Sequence, residues 1–344
     1  MIRWNNDYNQ TAHPAVLQAL MDTRGKAYPG YGTDECCRRA ADAIRAHLGG
    51  ADADVHFFLG GTQVNYTMIA AALKPYEAVI SADVGHIHVH ETGAVENTGH
   101  KIHALPAENG KLTAAAIAAE AEKFRSSPFR EHITHPKMVY LSFPTEQGQL
   151  YSKKELTDIR AVCDEYGLYL YIDGARMAYG LGAKENDLTL ADIAHLADCF
   201  YIGGTKCGAM FGEALVLVND DFKKDFRNHL KQNGAMLAKG WLLGLQFEAL
   251  FRDDLYFKLG AGAIDAALAI RDAFRKKGVE TWLSSPTNQQ FFFLPPEMAE
   301  ELGKKHIGEY EETLPDGRQL IRFCTSWSTR QEDVDTLLKD IDAL

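Results

Sequence analysis

Short apolar runs alternate with longer amphipathic runs between residues 55 and 218, and this alternation limits the fold more than any other feature. The apolar runs have the length and the β-branched and aromatic content of strands, and they cover residues 55–59, 78–81, 138–143, 168–172, 199–202 and 213–218. Helical periodicity is found at residues 64–73, from about residue 87, at 153–166 and at 190–197. Strands separated by crossover helices pair in parallel, so the pattern predicts a mostly parallel sheet covered by helices on both faces, with the last strand antiparallel.

The pattern changes after residue 219. Helical runs at 222–231, 241–251 and 263–277 come first, and strand-like runs at 279–282, 289–294 and 320–324 then alternate with helices at 297–305 and 331–343. A chain of 344 residues also exceeds the usual size of one domain. The sequence therefore predicts a large α/β domain over residues 1–245 and a small α+β domain over residues 246–344.

Charge and cysteine content exclude some classes of function. The chain carries 36 Lys and Arg against 47 Asp and Glu, a net charge of −11, which disfavours binding to nucleic acid and to anionic membranes. No run approaches the roughly 18 apolar residues of a membrane span, and the first residues lack the apolar core of a signal peptide. The six cysteines include no C-x-x-C pair. We therefore expect a cytoplasmic protein that binds neither nucleic acid nor membranes.

Lys206 and Asp173 each follow an apolar strand, and together they indicate a cofactor. A lysine just after a buried strand, among glycines that allow close approach, can form an imine. Asp173 ends the preceding strand at the edge where open α/β sheets bind ligands, and its carboxylate can keep a pyridine nitrogen protonated. Either residue alone is typical of a surface lysine or a helix cap. The pair predicts pyridoxal 5′-phosphate.

A phosphate site is then required, and the turn Gly60-Gly61-Thr62 suits one. It lies between a predicted strand and a predicted helix, so its amides and the helix N-terminus can hold a phosphate dianion. The hydroxyl of Thr62 adds a donor, and Thr205, just before the lysine, supplies another. Taken alone, the turn is equally typical of a tight strand-to-helix connection.

His86 follows a strand on the same predicted edge, where an imidazole can stack on an aromatic ring and exchange protons. The spacing of His86, His88 and His90 offers a rival, a metal site for a hydrolase. A helix beginning here would place His86 and His90 on one face and turn His88 away, so that the three would not share one ion.

Arg176 and Arg322 are the candidate anion-binding side chains. Arg322 lies in a run that otherwise reads as a buried strand, where a guanidinium is costly unless a carboxylate pairs with it. That carboxylate belongs either to an amino-acid substrate or to the protein itself. Arg176, three residues after Asp173, lies beside the predicted cofactor and can hold its phosphate or the substrate carboxylate.

Taken together, these motifs resemble the low-specificity L-threonine aldolases, a fold-type-I pyridoxal-phosphate family of the β-eliminating lyase superfamily. The matching segments are Asn5-Asn-Asp-Tyr8, Tyr31-Gly32, Gly60-Gly-Thr62, His86, Asp173-Gly-Ala-Arg176, Gly204-Thr-Lys206 and Ile321-Arg-Phe-Cys-Thr-Ser326. The resemblance implies a mostly parallel seven-stranded sheet in the large domain. It implies an imine on Lys206, a ring nitrogen paired with Asp173, a ring stacked on His86, and the phosphate on Gly61 and Thr62.

The same resemblance implies that Arg176, Arg322 and Asn6 bind the substrate. The family is oligomeric, so a homodimer or homotetramer is expected, with Tyr31 and Lys239 entering the site from a partner subunit, Lys239 toward the phosphate. The implied activity is that of an aldehyde-lyase, which cleaves threonine, allo-threonine or a related β-hydroxy-α-amino acid to glycine and an aldehyde.

The segment Ser142-Phe-Pro-Thr-Glu146 departs from the pattern of many family members and resembles a branch that includes phenylserine-type aldolases. The base that removes the β-hydroxyl proton is therefore open, with His86, or a water held by His135 or Glu146, as the candidates. The same cofactor also supports transamination and β-elimination, so an aminotransferase or a β-eliminating lyase is the nearest alternative. A metal-dependent hydrolase and a nonenzymatic cofactor-binding module are the more distant ones.

Overall fold

A computed structural model describes residues 1–344 of the chain. The strands are β1 Ile2–Arg3, β2 Asp54–Phe58, β3 Glu77–Ala82, β4 Lys101–Leu105, β5 His135–Ser142, β6 Tyr169–Asp173, β7 Cys199–Gly203, β8 Glu213–Leu217, β9 Glu280–Thr281, β10 Gln289–Leu294, β11 His306–Ile307, β12 Glu309–Thr313 and β13 Gln319–Cys324. The α-helices are α1 Pro14–Met21, α2 Glu35–Arg45, α3 Gly61–Ala72, α4 His86–Val89, α5 Ala114–Arg125, α6 Lys153–Tyr166, α7 Met177–Gly182, α8 Leu190–Leu196, α9 Asp220–Lys223, α10 Phe226–Gln232, α11 Trp241–Phe251, α12 Leu255–Lys276, α13 Pro296–Gly303 and α14 Gln331–Ala343.

A seven-stranded sheet with the order β2-β8-β7-β6-β5-β3-β4 forms the centre of the fold. Strand β8 runs antiparallel to both of its neighbours, and the pairs from β7 to β4 are all parallel. The mostly parallel sheet predicted from the sequence is confirmed, together with its antiparallel last strand.

Both faces of the sheet are covered, as the apolar character of its strands requires. Along β6, Leu170 and Ile172 belong to one hydrophobic cluster and Tyr171, between them, belongs to another. Helix α6 shows how the sequence delimits the covering helices. Ser152 and Glu155 form a reciprocal capping box at its start, and Gly167 ends it with a φ of 64°.

The C-terminal part contains a four-stranded antiparallel sheet of order β12-β13-β10-β9, with a third hydrophobic cluster against α12, α13 and α14. The N-terminus joins this part, because β1 pairs in parallel with β11 and Trp4 is buried in the third cluster. The proposed division at residue 245 stays a prediction.

Several elements were not predicted from the sequence. The edge strand β4 has only one fully buried residue, and four of the five residues of β12 are exposed, so neither shows a buried strand's pattern. Helices α1, α2 and α5 were also missed. The helix expected from about residue 87 is the single turn α4. None of the helices combines the length and apolar character needed to cross a membrane.

Candidate active site

The parallel strands β3, β5, β6 and β7 end at one edge of the central sheet, and a cavity of about 610 Å³ opens there. Such an edge is the usual ligand site of open α/β sheets. The lining includes most of the predicted site residues. They are Gly61, Thr62, His86, Glu146, Asp173, Arg176, Thr205, Lys206 and Arg322.

Asp173 is the last residue of β6 and is only 4% exposed. Its Oδ2 accepts hydrogen bonds from the Tyr140 hydroxyl at 2.6 Å and from Asn65 Nδ2 at 3.1 Å, while Oδ1 accepts from the Ala175 amide at 3.0 Å. Burial raises the pKa of Tyr140 well above its usual value, so its phenol stays a donor. These donors fix the orientation of the carboxylate, which is what a partner for a protonated ring nitrogen needs.

Lys206 follows β7 by three residues and lines the same cavity as Asp173. Burial lowers the pKa of its ammonium, and the charge of Arg176 lowers it further, against the opposing carboxylates of Asp7, Asp173 and Glu213. A lowered pKa increases the fraction of free amine at neutral pH, and the free amine is the form that attacks a carbonyl.

The turn before α3 provides the anion-binding element. Gly60 occupies the N-cap position without any side-chain cap, so the first amides of this 12-residue helix are available to a ligand. A Cβ at Gly61 would lie 2.9 Å from the Tyr201 hydroxyl oxygen, so this close approach requires glycine. The hydroxyl of Thr205 is already engaged, because it donates to Glu213 Oε1 at 2.6 Å and accepts from the Gly212 amide at 3.0 Å.

His86 begins α4, and its Nδ1 lies 2.8 Å from Glu91 Oε1, which leaves Nε2 for a ligand. His90 shares the cavity, with ring centroids 5.5 Å apart, while His88 is exposed and absent from the lining. This arrangement is the one expected if the segment is helical. No three His, Cys, Asp or Glu side chains are grouped as ligands for one ion, so the geometry gives no support to the metal alternative.

Glu146 is hydrogen-bonded to the backbone of the same histidine. Its Oε1 accepts from the His86 amide at 2.8 Å and from the Ser142 hydroxyl at 2.6 Å. Burial raises the pKa of this carboxyl above its usual value, and the nearby charge of Asp173 acts in the same direction. A carboxylate with a raised pKa is a stronger base than a solvent-exposed one.

The two arginines differ in how fully they are paired. Arg176 Nε and Nη2 form a bidentate pair with Asp7 at 2.7 and 3.1 Å, which leaves Nη1 outside that pair, and the residue lines the cavity. Arg322 has a weaker protein partner, Glu311, at 3.6 Å, and donates to the Asn5 carbonyl at 3.2 Å. Its Nε is buried without any hydrogen-bond acceptor. An anionic ligand would satisfy that donor.

His135 is a correction to the sequence-based assignment. It is the first residue of β5, whereas the cavity lies at the last, Ser142. Seven residue-to-residue steps along the strand separate the two by roughly 23 Å. Its ring stacks on Phe124 with centroids 4.4 Å apart. The candidate was wrong because a histidine beside an apolar run was not assigned to the start or the end of the strand.

Three other predicted contacts lie outside this cavity. Asn6 lines a neighbouring cavity, and its Oδ1 accepts from the Tyr8 amide at 3.1 Å within its own loop. Tyr31 and Lys239 are exposed on adjacent surface loops, joined where the Tyr31 amide donates to the Ala238 carbonyl at 3.2 Å. Their entry into a partner's site stays a prediction.

Sequence reasoning missed the polar residues that support the site from behind. Asn65 lies on α3, and its Nδ2 donates both to Asp173 and to Glu91 Oε1 at 2.8 Å. Glu213 is 4% exposed and lines the cavity beside Thr205. A glutamate at the start of an otherwise apolar strand was the available signal for Glu213, whereas Asn65 is one polar residue among several on its helix.

The residues present fit pyridoxal phosphate. Lys206, Asp173 and Arg322 line the cavity together with the uncapped N-terminus of α3, and the Nε of Arg322 has no acceptor in the protein. Each suits one group of the cofactor or of an amino acid bound to it.

Comparison with known proteins agrees with this geometry. Residues 15–277 match the family described as beta-eliminating lyase. Low specificity L-threonine aldolases from Pseudomonas aeruginosa and from a Pseudomonas sp. are each 32% identical, over 95% and 91% of this chain and 93% and 89% of theirs. The solved structure of a Leishmania major threonine aldolase is 44% identical, with a TM-score of 0.97 over 100% of this chain and 99% of that one. An aspartate aminotransferase from Thermus thermophilus, 14% identical, shares the fold, with a TM-score of 0.72 over 100% of this chain and 91% of its own.

Proposed function

Because the chain belongs to the threonine aldolases of the β-eliminating lyase family, whose cofactor is pyridoxal phosphate, we propose that it cleaves β-hydroxy-α-amino acids. The substrates are L-threonine, L-allo-threonine or a relative, and the products are glycine and an aldehyde. The observation that carries the proposal is the shared cavity of Lys206, Asp173 and Arg322. An amine, a fixed carboxylate and an incompletely paired guanidinium together suit the cofactor and an amino acid.

Bound pyridoxal phosphate supplies the sink for the electrons of the broken Cα–Cβ bond. In the proposed site Lys206 would hold the cofactor through its amine, and the Asp173 carboxylate would accept a hydrogen bond from the ring nitrogen. His86 would contact the ring, and the amides of Gly61 and Thr62 would bind the phosphate.

The substrate carboxylate would be bound by the guanidinium group of Arg322, which lines the cavity and whose Nε has no acceptor in the protein. Arg176 adds its Nη1, while Asp7 holds the rest of that guanidinium. Together the two guanidinium groups would hold the amino acid in a fixed orientation in the cavity.

The β-hydroxyl proton goes to Glu146, directly or through one water, and the Cα–Cβ bond then breaks as the β-hydroxyl becomes the aldehyde. Glu146 is preferred to His86 because its pKa is raised by burial, so it is matched to receive a proton. His86, anchored on Glu91, stays the second candidate through its free Nε2. Return of that proton from the base to Cα, directly or through one water, completes glycine.

The active enzyme is proposed to be a homodimer or a homotetramer. Tyr31 and Lys239 lie together on an exposed surface, outside the cavity of their own chain. In an oligomer, these two residues of one subunit would reach the cavity of the other. A cytoplasmic location is proposed from the six free cysteines, all of them buried.

Product analysis on the cofactor-loaded enzyme tests the function. With L-threonine we expect glycine and acetaldehyde in equal amounts, and with phenylserine glycine and benzaldehyde. Lys206→Ala should abolish both, while Lys184→Ala, at an exposed ion pair, should not. Ammonia with a keto acid as the products would refute the aldolase and support β-elimination, whereas a keto acid formed only with an added amino-group acceptor would support an aminotransferase.

A further inference from the structure

Glu213 is a buried carboxyl group at the place where the cofactor phosphate is expected. It begins β8, and its residue pair across the sheet is Phe58, two positions before Gly60. It lines the cavity with Gly60, Gly61 and Thr62, and its residue is 4% exposed. A carboxylate repels a phosphate dianion beside it. No lysine or arginine of this chain lies within 4.0 Å of the Glu213 carboxylate, so no ion pair neutralises its charge.

The hydrogen bonds of Glu213 show how the repulsion is avoided. Its Oε1 accepts the Thr205 hydroxyl at 2.6 Å, and its Oε2 accepts the Gly204 amide at 3.0 Å. Thr205 Oγ1 in turn accepts the Gly212 amide at 3.0 Å. With Glu213 ionised, the single hydroxyl proton of Thr205 is therefore committed to the carboxylate.

Protonation of Glu213 reverses this bond. The carboxyl O–H then donates to Thr205 Oγ1, which has one lone pair left after the Gly212 amide is bound. The Thr205 proton is released to point toward another acceptor. One proton on Glu213 thus removes a negative charge from the phosphate site and adds a donor to it.

None of the charged and titratable groups around Glu213 forms an ion pair with it, so its carboxylate can be protonated. Burial raises its pKa to about 8, against the hydrogen bonds from Thr205 and Gly204 and the more distant charge of Lys206. Asp173 acts in the opposite direction from Lys206. The remaining titratable neighbours are uncharged phenols and a thiol, from Tyr201, Tyr171, Tyr256 and Cys207.

We propose that Glu213 is protonated whenever a phosphate monoester is bound at Gly60–Thr62, taking that proton from solvent where it is ionised in the free protein, and that this proton turns the Thr205 hydroxyl into a donor to the phosphate. Glu213 is thus a positioning residue for the cofactor, acting through Thr205. The inference rests on the family's cofactor and is independent of the reaction proposed above.

Two ligands that cannot react with Lys206 isolate the phosphate contribution. Pyridoxine 5′-phosphate and pyridoxine differ only in that group, so the ratio of their dissociation constants on the full-length protein freed of cofactor cancels the ring's own ionisation. The measurement runs from pH 7.5 to 9.5. The phosphate ester is a dianion over this whole range, because its second pKa is about 6. In the wild type, the factor by which the phosphate ester binds more tightly than pyridoxine should be constant below pH 8. Above pH 8 this factor should fall by about tenfold per pH unit.

Glu213→Gln keeps the size of the side chain and cannot ionise, so its ratio should not change over this range. Glu77→Gln, at a buried carboxyl group on the opposite edge of the sheet, should keep the wild-type slope. Thr205→Val should lose the part of the phosphate ester's affinity that the hydroxyl contributes but keep the slope caused by the charge of Glu213, and Thr205→Ser should retain both. A wild-type ratio without slope, or a slope that survives in Glu213→Gln, would overturn the proposal.

Calorimetry on the wild type tests the same proposal without any variant. Titrations in two buffers of different ionisation enthalpy give the number of protons taken up on binding. At pH 9 the binding of pyridoxine 5′-phosphate should take up close to one proton more than the binding of pyridoxine, and at pH 7 the two numbers should be equal. Equal uptake at both pH values would overturn it. Since no amino acid is present, failure here leaves the proposed cleavage reaction untouched, and failure of that reaction leaves this result untouched.

Discussion

Replacing Asp7 by asparagine is expected to destabilise the folded enzyme by about 3 to 5 kcal/mol at pH 7. Asp7 is 2% exposed and holds Arg176 in a bidentate pair at 2.7 and 3.1 Å, and Asn288 donates to the same carboxylate at 3.0 Å. Asparagine preserves the shape and removes the charge, so the guanidinium stays buried without a counter-ion. That cost is a large share of the 5 to 15 kcal/mol that holds a typical protein folded, as an order of magnitude.

The stabilisation by Asp7 should also depend on pH, in a direction that follows from its pKa. Burial alone would raise the pKa of Asp7, but Arg176, Lys206 and the hydrogen bonds lower it from 3.8 to about 2. The ionised form therefore contributes about 2 kcal/mol above pH 4, and this contribution is lost as the pH falls through 3.8 toward 2. The gap between the wild type and Asp7→Asn should narrow over that range.

Urea unfolding at pH 7 and thermal unfolding between pH 5 and 2.5 measure both effects. The matched control is Asp265→Asn, which breaks a pair with Lys184 whose side chains are 68% and 70% exposed. It should cost less than ~1 kcal/mol. An Asp7→Asn enzyme within ~1 kcal/mol of the wild type, or a gap that stays constant down to pH 2.5, would refute the assignment of this pair as a buried, stabilising one.

Three further predictions concern the cavity. Arg322→Met should raise the KM for threonine by roughly 10- to 100-fold, because each charged hydrogen bond contributes about 1.5 to 3 kcal/mol. Initial rates at saturating cofactor measure this KM, and an unchanged value would mean that the substrate carboxylate binds elsewhere. Tyr140→Phe removes the 2.6 Å donor to Asp173 and should weaken pyridoxine 5′-phosphate binding by about tenfold, measured by fluorescence titration, with an unchanged affinity counting against a role for this bond. Glu146→Gln should lower kcat by roughly 10²- to 10⁴-fold and remove the acidic limb of the kcat profile, which lies above the usual glutamate range because burial raises the pKa of Glu146. If that limb persists, His86 becomes the base.

The position of the site could be predicted from the sequence because the directions of parallel strands are constrained. Asp173 and Lys206 follow two strands of one βα series, and the ends of such strands meet at one edge. His86 reached the same edge for the same reason. The error over His135 shows the limit of this reasoning, because residues at the start of a strand belong to the opposite edge, about the length of β5 away.

Pairs between distant segments could not be predicted in this way. Asp7 and Arg176 are 169 residues apart, and Asn65 and Asp173 are 108 apart. Nothing in either local sequence specifies the partner, since an aspartate in a loop and an asparagine on a helix are ordinary in both places. The edge strands β4 and β12 were missed because their exposed faces remove the apolar pattern that identifies a strand.

The ion pair between Asp7 and Arg176 also sets the reactivity of Lys206, with opposite signs for its two members. Burial and the charge of Arg176 lower the pKa of Lys206, while the charge of Asp7 raises it. Asp7→Asn should therefore lower that pKa further, and Arg176→Met should raise it. The rate at which Lys206 captures added pyridoxal, trapped with borohydride and followed by mass spectrometry against pH, has its midpoint at this pKa. Disruption of the fold would move both variants in the same direction, so only opposite displacements of the midpoint agree with an electrostatic role, and parallel ones contradict it.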